Sequence, residues 1–291
     1  MEETKLNQLS IFMNPEVTGS IVMKHIILLL FFLFRNIFIF SQEGVRVYSE
    51  KENEHFNLYM DNANVCPVSI VLKLTLLNIK CIEPCPETIV VPQKSIKFKM
   101  GSFAVADLKK PANFNYTYKW TLGDMTKKHD DSYGYYLPFE KGKQYLLIQG
   151  YNGQSSHKNQ NSLDFNLPQG SIITAAREGV VAKVIDNNTQ ACPEERCKQF
   201  NNYVQVYHTD GSFAEYTHVI QGGSMVTVGN KIKAGQPIAR SGNTGYSAGP
   251  HLHFMVYKPN ENDFTTIETK FKVDSSIIFL KPGEKYVRNY D

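Results

Sequence analysis

The chain has 291 residues, of which 42% are hydrophobic and 20% charged, a balance that marks a globular protein long enough for two domains. A net charge of +3, with no basic cluster interleaved by aromatics, excludes nucleic acid as the expected partner. Tyrosine and phenylalanine are abundant (16 and 18), while long apolar stretches at helical spacing are scarce, so the predicted fold is all-β.

At the N-terminus an apolar run from Ile26 to Phe40, broken only by Arg35 and Asn36, follows Lys24-His25 and ends at Ser41-Gln42. A basic start, an apolar middle and a small polar end predict a secretory signal peptide, so that residues 1–41 comprise upstream residues plus this signal, with cleavage near Ser41. Met23 directly precedes this unit, so residues 1–22 read as an upstream start without structure. An uncleaved anchor is the alternative, and this segment is the only membrane contact expected. The expected location is therefore the periplasm, the cell envelope or the exterior. Five cysteines suit an exported protein.

Residues 42–124 alternate in short segments: Phe56–Met60, Val68–Leu76, Ser95–Met100 and Tyr116–Leu122, separated by turn-forming clusters. They predict a small β-sandwich with an accessory role. Cys66, Cys81 and Cys85 form an odd group whose pairing stays open. Residues 125–136 are polar and read as a linker, with His129 solvated.

From residue 137 to 291 the texture changes to short strands with Gly-rich turns, predicting a compact, mostly antiparallel β-sheet domain. Ile172–Ala176, Val180–Ile185, Tyr203–Tyr207 and Phe213–His218 are candidate strands, and Thr209-Asp210-Gly211 is a hairpin turn signal. Residues 186–202 form an insertion in which Cys192 and Cys197 bracket Pro-Glu-Glu-Arg, a spacing that a disulfide can close. The carrier-like stretch Val228–Ile238 lacks a lysine in a carrier context and reads as a structural element.

The chemistry concentrates at Gly249-Pro250-His251-Leu252-His253-Phe254. On a strand, His251 and His253 share one face, roughly 7 Å apart, while Leu252, Phe254 and Val256 take the other. His157, Asp164 and His253 would supply two nitrogens and one oxygen to Zn2+ and leave a fourth position open. His218 and His251 would then stand beside the metal as two imidazoles for hydrolysis. His208 ends a neighbouring strand and reads as structural.

The run Gly235–Phe254 resembles the signature region of the lysostaphin-type zinc metallopeptidases. Ser156-His157 with Leu163-Asp164-Phe165 and Ala175–Val181 are similar to that family's first metal motif and the strand after it, and Tyr216-Thr217-His218 to its Tyr-x-His. His157 and Asp164 are more widely spaced than in the common form of the motif. The resemblance covers roughly residues 137–260. It implies a secreted bacterial endopeptidase acting on peptidoglycan cross-links or bridges, with one zinc held by His157, Asp164 and His253. It further implies His251 as the base and His218 as the transition-state stabiliser. The rival reading is a catalytically inactive wall- or partner-binding module of the same fold, and five filled positions favour the enzyme.

Overall fold

The computed structural model describes residues 44–52 and 55–291, together with a short strand at Asn7–Leu9, where the sequence predicts no structure. The expected signal peptide, its start at Met23 and its cleavage near Ser41 otherwise lie outside the described residues. Among the described residues, no helix is long and apolar enough to cross a membrane.

Among the described residues the regular structure is almost all strand, with one 3-10 turn at Glu195–Phe200. It divides into two units that interleave along the chain. The first comprises residues 1–63, 72–89 and 95–119; the second comprises 64–71, 90–94 and 120–291. Segments far apart in sequence thus join one unit, a grouping that local patterning does not reveal.

In the first unit, Val45–Glu52 and His55–Asn62 form an antiparallel hairpin. Ser95–Val105 pairs with its second strand, and Ile79–Cys81 closes the sheet. Phe56, Phe103 and Phe114 pack ring against ring, with centroids 4.7–5.4 Å apart, a spacing at which aromatic pairs attract. Cys81 and Cys85 are joined by a disulfide.

The second unit is organised by an antiparallel sheet in the order Lys231–Ile232, Gly179–Ile185, Tyr203–Tyr207, Phe213–Thr217, Leu252–Asn260, Ser162–Phe165, Gln144–Gln149 and Lys285–Val287. The period-two alternation of Leu252–Asn260 decides what it buries. Leu252, Phe254 and Val256 are at most 1% exposed and enter one core with Tyr216, Leu163, Phe165 and Val204. Each such buried side chain contributes on the order of 1.5–3 kcal/mol, which anchors the strand and frees its other face for chemistry. Tyr216 keeps its hydroxyl satisfied inside this core by accepting the Ala176 N–H at 2.7 Å.

Within the stretch expected as a linker, Gly134–Tyr135 is a strand and Tyr135 is fully buried. His129, expected in solvent, is only 7% exposed at its side chain and meets Asp131 at 2.9 Å and the Tyr135 hydroxyl at 3.1 Å. Polar composition concealed the anchoring role of Tyr135. Cys66 is buried, and Cys192 and Cys197 are joined by a disulfide.

Candidate active site

Three strands bring the predicted residues together. Asp164 lies on Ser162–Phe165, directly opposite His253 in the antiparallel register. Thr217, the residue before His218, is the partner of His253 on the other side. Asp164 and His253 are thus fixed by sheet pairing rather than by loops, which is the more rigid way to hold a site.

His157 comes from the turn after Gln144–Gln149 and is fully buried, although its polar sequence context suggests a surface residue. Its ring is oriented by the backbone: Nδ1 lies 3.0 Å from the Gly150 carbonyl. A carbonyl only accepts, so Nδ1 carries the proton and Nε2 is left as a bare nitrogen. That nitrogen lies 3.1 Å from Asp164 Oδ1 and 3.1 Å from His253 Nδ1, and His253 Nδ1 lies 2.9 Å from the same Oδ1.

Three ligand-type atoms therefore converge within 4.8 Å of one another. One proton among them can satisfy only part of the set, because each imidazole nitrogen and the carboxylate oxygen present lone pairs to a common centre. A cation satisfies all three at once, and two imidazoles with one carboxylate are ligands suited to zinc. The residues fit the metal that the sequence motif implies. The electrostatics agree: burial opposes charge on Asp164, but the adjoining His157 and His253 imidazoles hold its carboxyl well below the usual range. For His157, burial disfavours a positive ring, and the neighbouring Asp164 carboxylate outweighs it and raises the group from its ordinary value, so positive charge is favoured at this centre.

Gln149 supports this cluster from the adjacent strand. It is the register partner of Asp164, and its Nε2 donates to Asp164 Oδ2 at 3.4 Å and to Ser156 Oγ at 2.8 Å. Oδ2 is thereby occupied while Oδ1 faces the imidazoles.

His251 and His218 stand beside the cluster with ring centroids 4.5 Å apart. His251 Nε2 is 3.7 Å from Asp164 Oδ1, and its Nδ1 donates to the Gly249 carbonyl at 2.8 Å, with Ser247 Oγ at 3.2 Å. His218 Nδ1 donates to the Thr244 carbonyl at 2.7 Å. Both rings are thus held as the Nδ1–H tautomer, leaving Nε2 able to take a proton. Burial, aided by the neighbouring His251 and His253, lowers His218 to about 3, so this ring is neutral near pH 7.

His218 does not continue the strand predicted for it: the strand ends at Thr217, and His218 has φ 68, in the left-handed region. Such a conformation costs a non-glycine residue on the order of 1–3 kcal/mol and here turns the ring toward His251. His208 is fully buried, with Nδ1 donating to the Glu178 carbonyl at 2.7 Å, in keeping with a structural role. Sequence reasoning missed the groups that hold these side chains: Gly150, Gln149, Thr244, Ser247 and Gly249. Most act through backbone carbonyls, which leave no mark in residue type.

Residues 158–265 match the family model of peptidase family M23. A protein of Buchnera aphidicola named an uncharacterized metalloprotease is 26% identical over 220 residues, 71% of this chain and 54% of that protein. The peptidoglycan DD-endopeptidase ShyC of Vibrio cholerae is 37% identical over 92 residues, 31% of this chain and 18% of that one. The solved catalytic domain of the antimicrobial peptidase lysostaphin from Staphylococcus simulans is 28% identical, with 39% of this chain and 78% of that chain covered and a TM-score of 0.30. The chain spans 54% of the first of these relatives and 18% of the second.

Proposed function

We propose that this chain, which carries a peptidase family M23 domain, is an exported zinc endopeptidase that hydrolyses peptide bonds of bacterial peptidoglycan. The observation that carries the reading is the convergence of His157 Nε2, Asp164 Oδ1 and His253 Nδ1 beside two imidazoles with bare Nε2 atoms. The names of similar proteins support the substrate class, since relatives at 37% and 34% identity are called peptidoglycan DD-endopeptidases.

Zinc, when bound by His157, Asp164 and His253, supplies Lewis acidity toward a water and a scissile carbonyl. The residues do the rest. Gln149 holds Asp164 so that one carboxylate oxygen faces the ligand nitrogens. His251, with its Nδ1 proton committed to Gly249, accepts the proton of the attacking water at Nε2. The protonated ring can then pass that proton to the leaving nitrogen. His218 has the same tautomer, so its bare Nε2 accepts a hydrogen bond from the attacking water and orients it. Burial excludes bulk water from His218 and strengthens that interaction.

Purified chain should contain about one zinc, and digestion of purified peptidoglycan followed by mass analysis should release peptides cut at a defined bond. His253→Ala should lose both zinc and hydrolysis. Retained hydrolysis in that variant would sink the mechanism, and zinc binding without any cleavage by the wild type would favour a wall-binding module.

A further inference from the structure

The insertion of residues 186–202 docks on the segment that leads into His251. Ala191–Cys192 pairs in parallel with Gly245–Tyr246. The Gly245 N–H donates to the Gln190 carbonyl at 2.7 Å. The same peptide unit carries the Thr244 carbonyl, which accepts His218 Nδ1–H at 2.7 Å. A trans peptide is planar, so fixing its N–H fixes its C=O in the opposite direction. Two residues on, the Ser247 N–H donates to the Cys192 carbonyl at 3.2 Å. Ser247 Oγ in turn meets His251 Nδ1 at 3.2 Å and donates to the Gly249 carbonyl at 2.8 Å. Each imidazole is thus one peptide unit or one residue away from the insertion.

The insertion is itself fixed. The Cys192–Cys197 disulfide closes it, and a 3-10 turn over Glu195–Phe200 ends at Asn201. Asn201 Oδ1 accepts the Tyr246 N–H at 2.9 Å. Gly245 has φ +76, and a Cβ there would meet Asn201, including its Cα at 2.6 Å, so the two backbones are in close contact. Asn202 is fully buried; its N–H donates to Thr244 Oγ1 at 3.2 Å and its Nδ2 to the Val219 carbonyl at 3.1 Å, next to His218.

We infer that the disulfide-closed insertion is the positioning element for His218 and His251. It fixes the backbone acceptors of both Nδ1 protons and so keeps Nε2 bare in both rings. The role of those nitrogens in hydrolysis rests on the peptidase reading; the tautomers do not. The two neutral tautomers of an imidazole interconvert freely unless a partner at one nitrogen selects between them. Here the selecting carbonyl of Thr244 belongs to a peptide that the insertion orients, and Asn201 holds the next one.

The test compares the full zinc-loaded wild type with Cys192→Ser/Cys197→Ser and Asn201→Leu. Long-range 1H–15N spectra of the imidazoles at neutral pH should show a single Nδ1–H tautomer at His218 and His251 in the wild type. Both variants should lose that single pattern, keep one zinc per chain, and show kcat on peptidoglycan reduced tenfold or more with KM within threefold. Asn201→Asp, which retains the acceptor oxygen, should recover both the spectrum and kcat. Wild-type tautomers and kcat in both variants would overturn the inference. So would loss of zinc along with activity, since the effect would then lie in the ligand shell. A wild type that cleaves nothing would defeat the peptidase reading alone, and the spectra would still decide the positioning role.

Discussion

The Gly150 carbonyl accepts the Nδ1 proton of His157 at 3.0 Å, and this one bond turns a buried imidazole into a ligand-type nitrogen facing Asp164 and His253. Because the three converging atoms crowd one another, zinc should stabilise the folded chain strongly. At a thousandfold excess over its Kd the expected gain is about 4 kcal/mol. Thermal unfolding with and without zinc measures it. The gain should vanish in Asp164→Ala, and an unchanged transition on zinc addition to the wild type would contradict the site.

His251, just before the strand Leu252–Asn260, and His253, on it, should separate by phenotype. His251→Ala should retain the metal and lose about 10²–10⁴-fold in kcat, the range for a lost general base. His253→Ala should lose the metal itself. Metal analysis alongside turnover decides the matter, and zinc loss in His251→Ala would mean that the two roles are exchanged.

Tyr216→Phe leaves the buried Ala176 N–H without the oxygen that accepts it at 2.7 Å. An orphaned buried donor costs about 1–3 kcal/mol. Urea unfolding should show that loss with no change in the denaturant slope. A change below a few tenths of a kcal/mol would mean that water replaces the hydroxyl.

His208 gives the domain an acid sensitivity. Burial lowers it to about 4, despite the Glu178 carbonyl that holds Nδ1–H, while Arg177, Asp210 and Glu178 supply the neighbouring charges. The folded chain therefore binds fewer protons than the unfolded one between pH 6.5 and about 4, and stability falls as pH falls through that window. At pH 5 the loss attributable to this ring is about 2 kcal/mol relative to pH 7. Unfolding free energies of the zinc-free wild type and His208→Phe at the two pH values isolate it. An equal pH dependence in both proteins would refute the assignment.

The candidate cluster was legible because its groups are side chains. His157, Asp164, His218, His251 and His253 were singled out in the sequence and stand close together in the structure, and the alternation of Leu252, Phe254 and Val256 matches the buried face of the strand that carries His253. What stayed hidden was carried by the backbone. The Gly150 and Thr244 carbonyls select tautomers, yet any residue supplies a carbonyl. The docking of Ala191–Cys192 on Gly245–Tyr246 joins segments more than fifty residues apart through main-chain bonds. The burial of His157 also escaped, because its turn is polar and its enclosure comes from elements distant in sequence. The interleaving of the two units was invisible for the same reason: residues 64–71 and 90–94 look like their sequence neighbours but pack elsewhere.

The left-handed backbone of His218 sets two selective pressures against each other at a single codon. Conformational preference there asks for glycine, which adopts φ 68 without steric penalty, whereas the proposed reaction asks for an imidazole. A screen that rewards heat resistance and ignores turnover should accept glycine at this position more readily than alanine. A screen for hydrolysis should reject both.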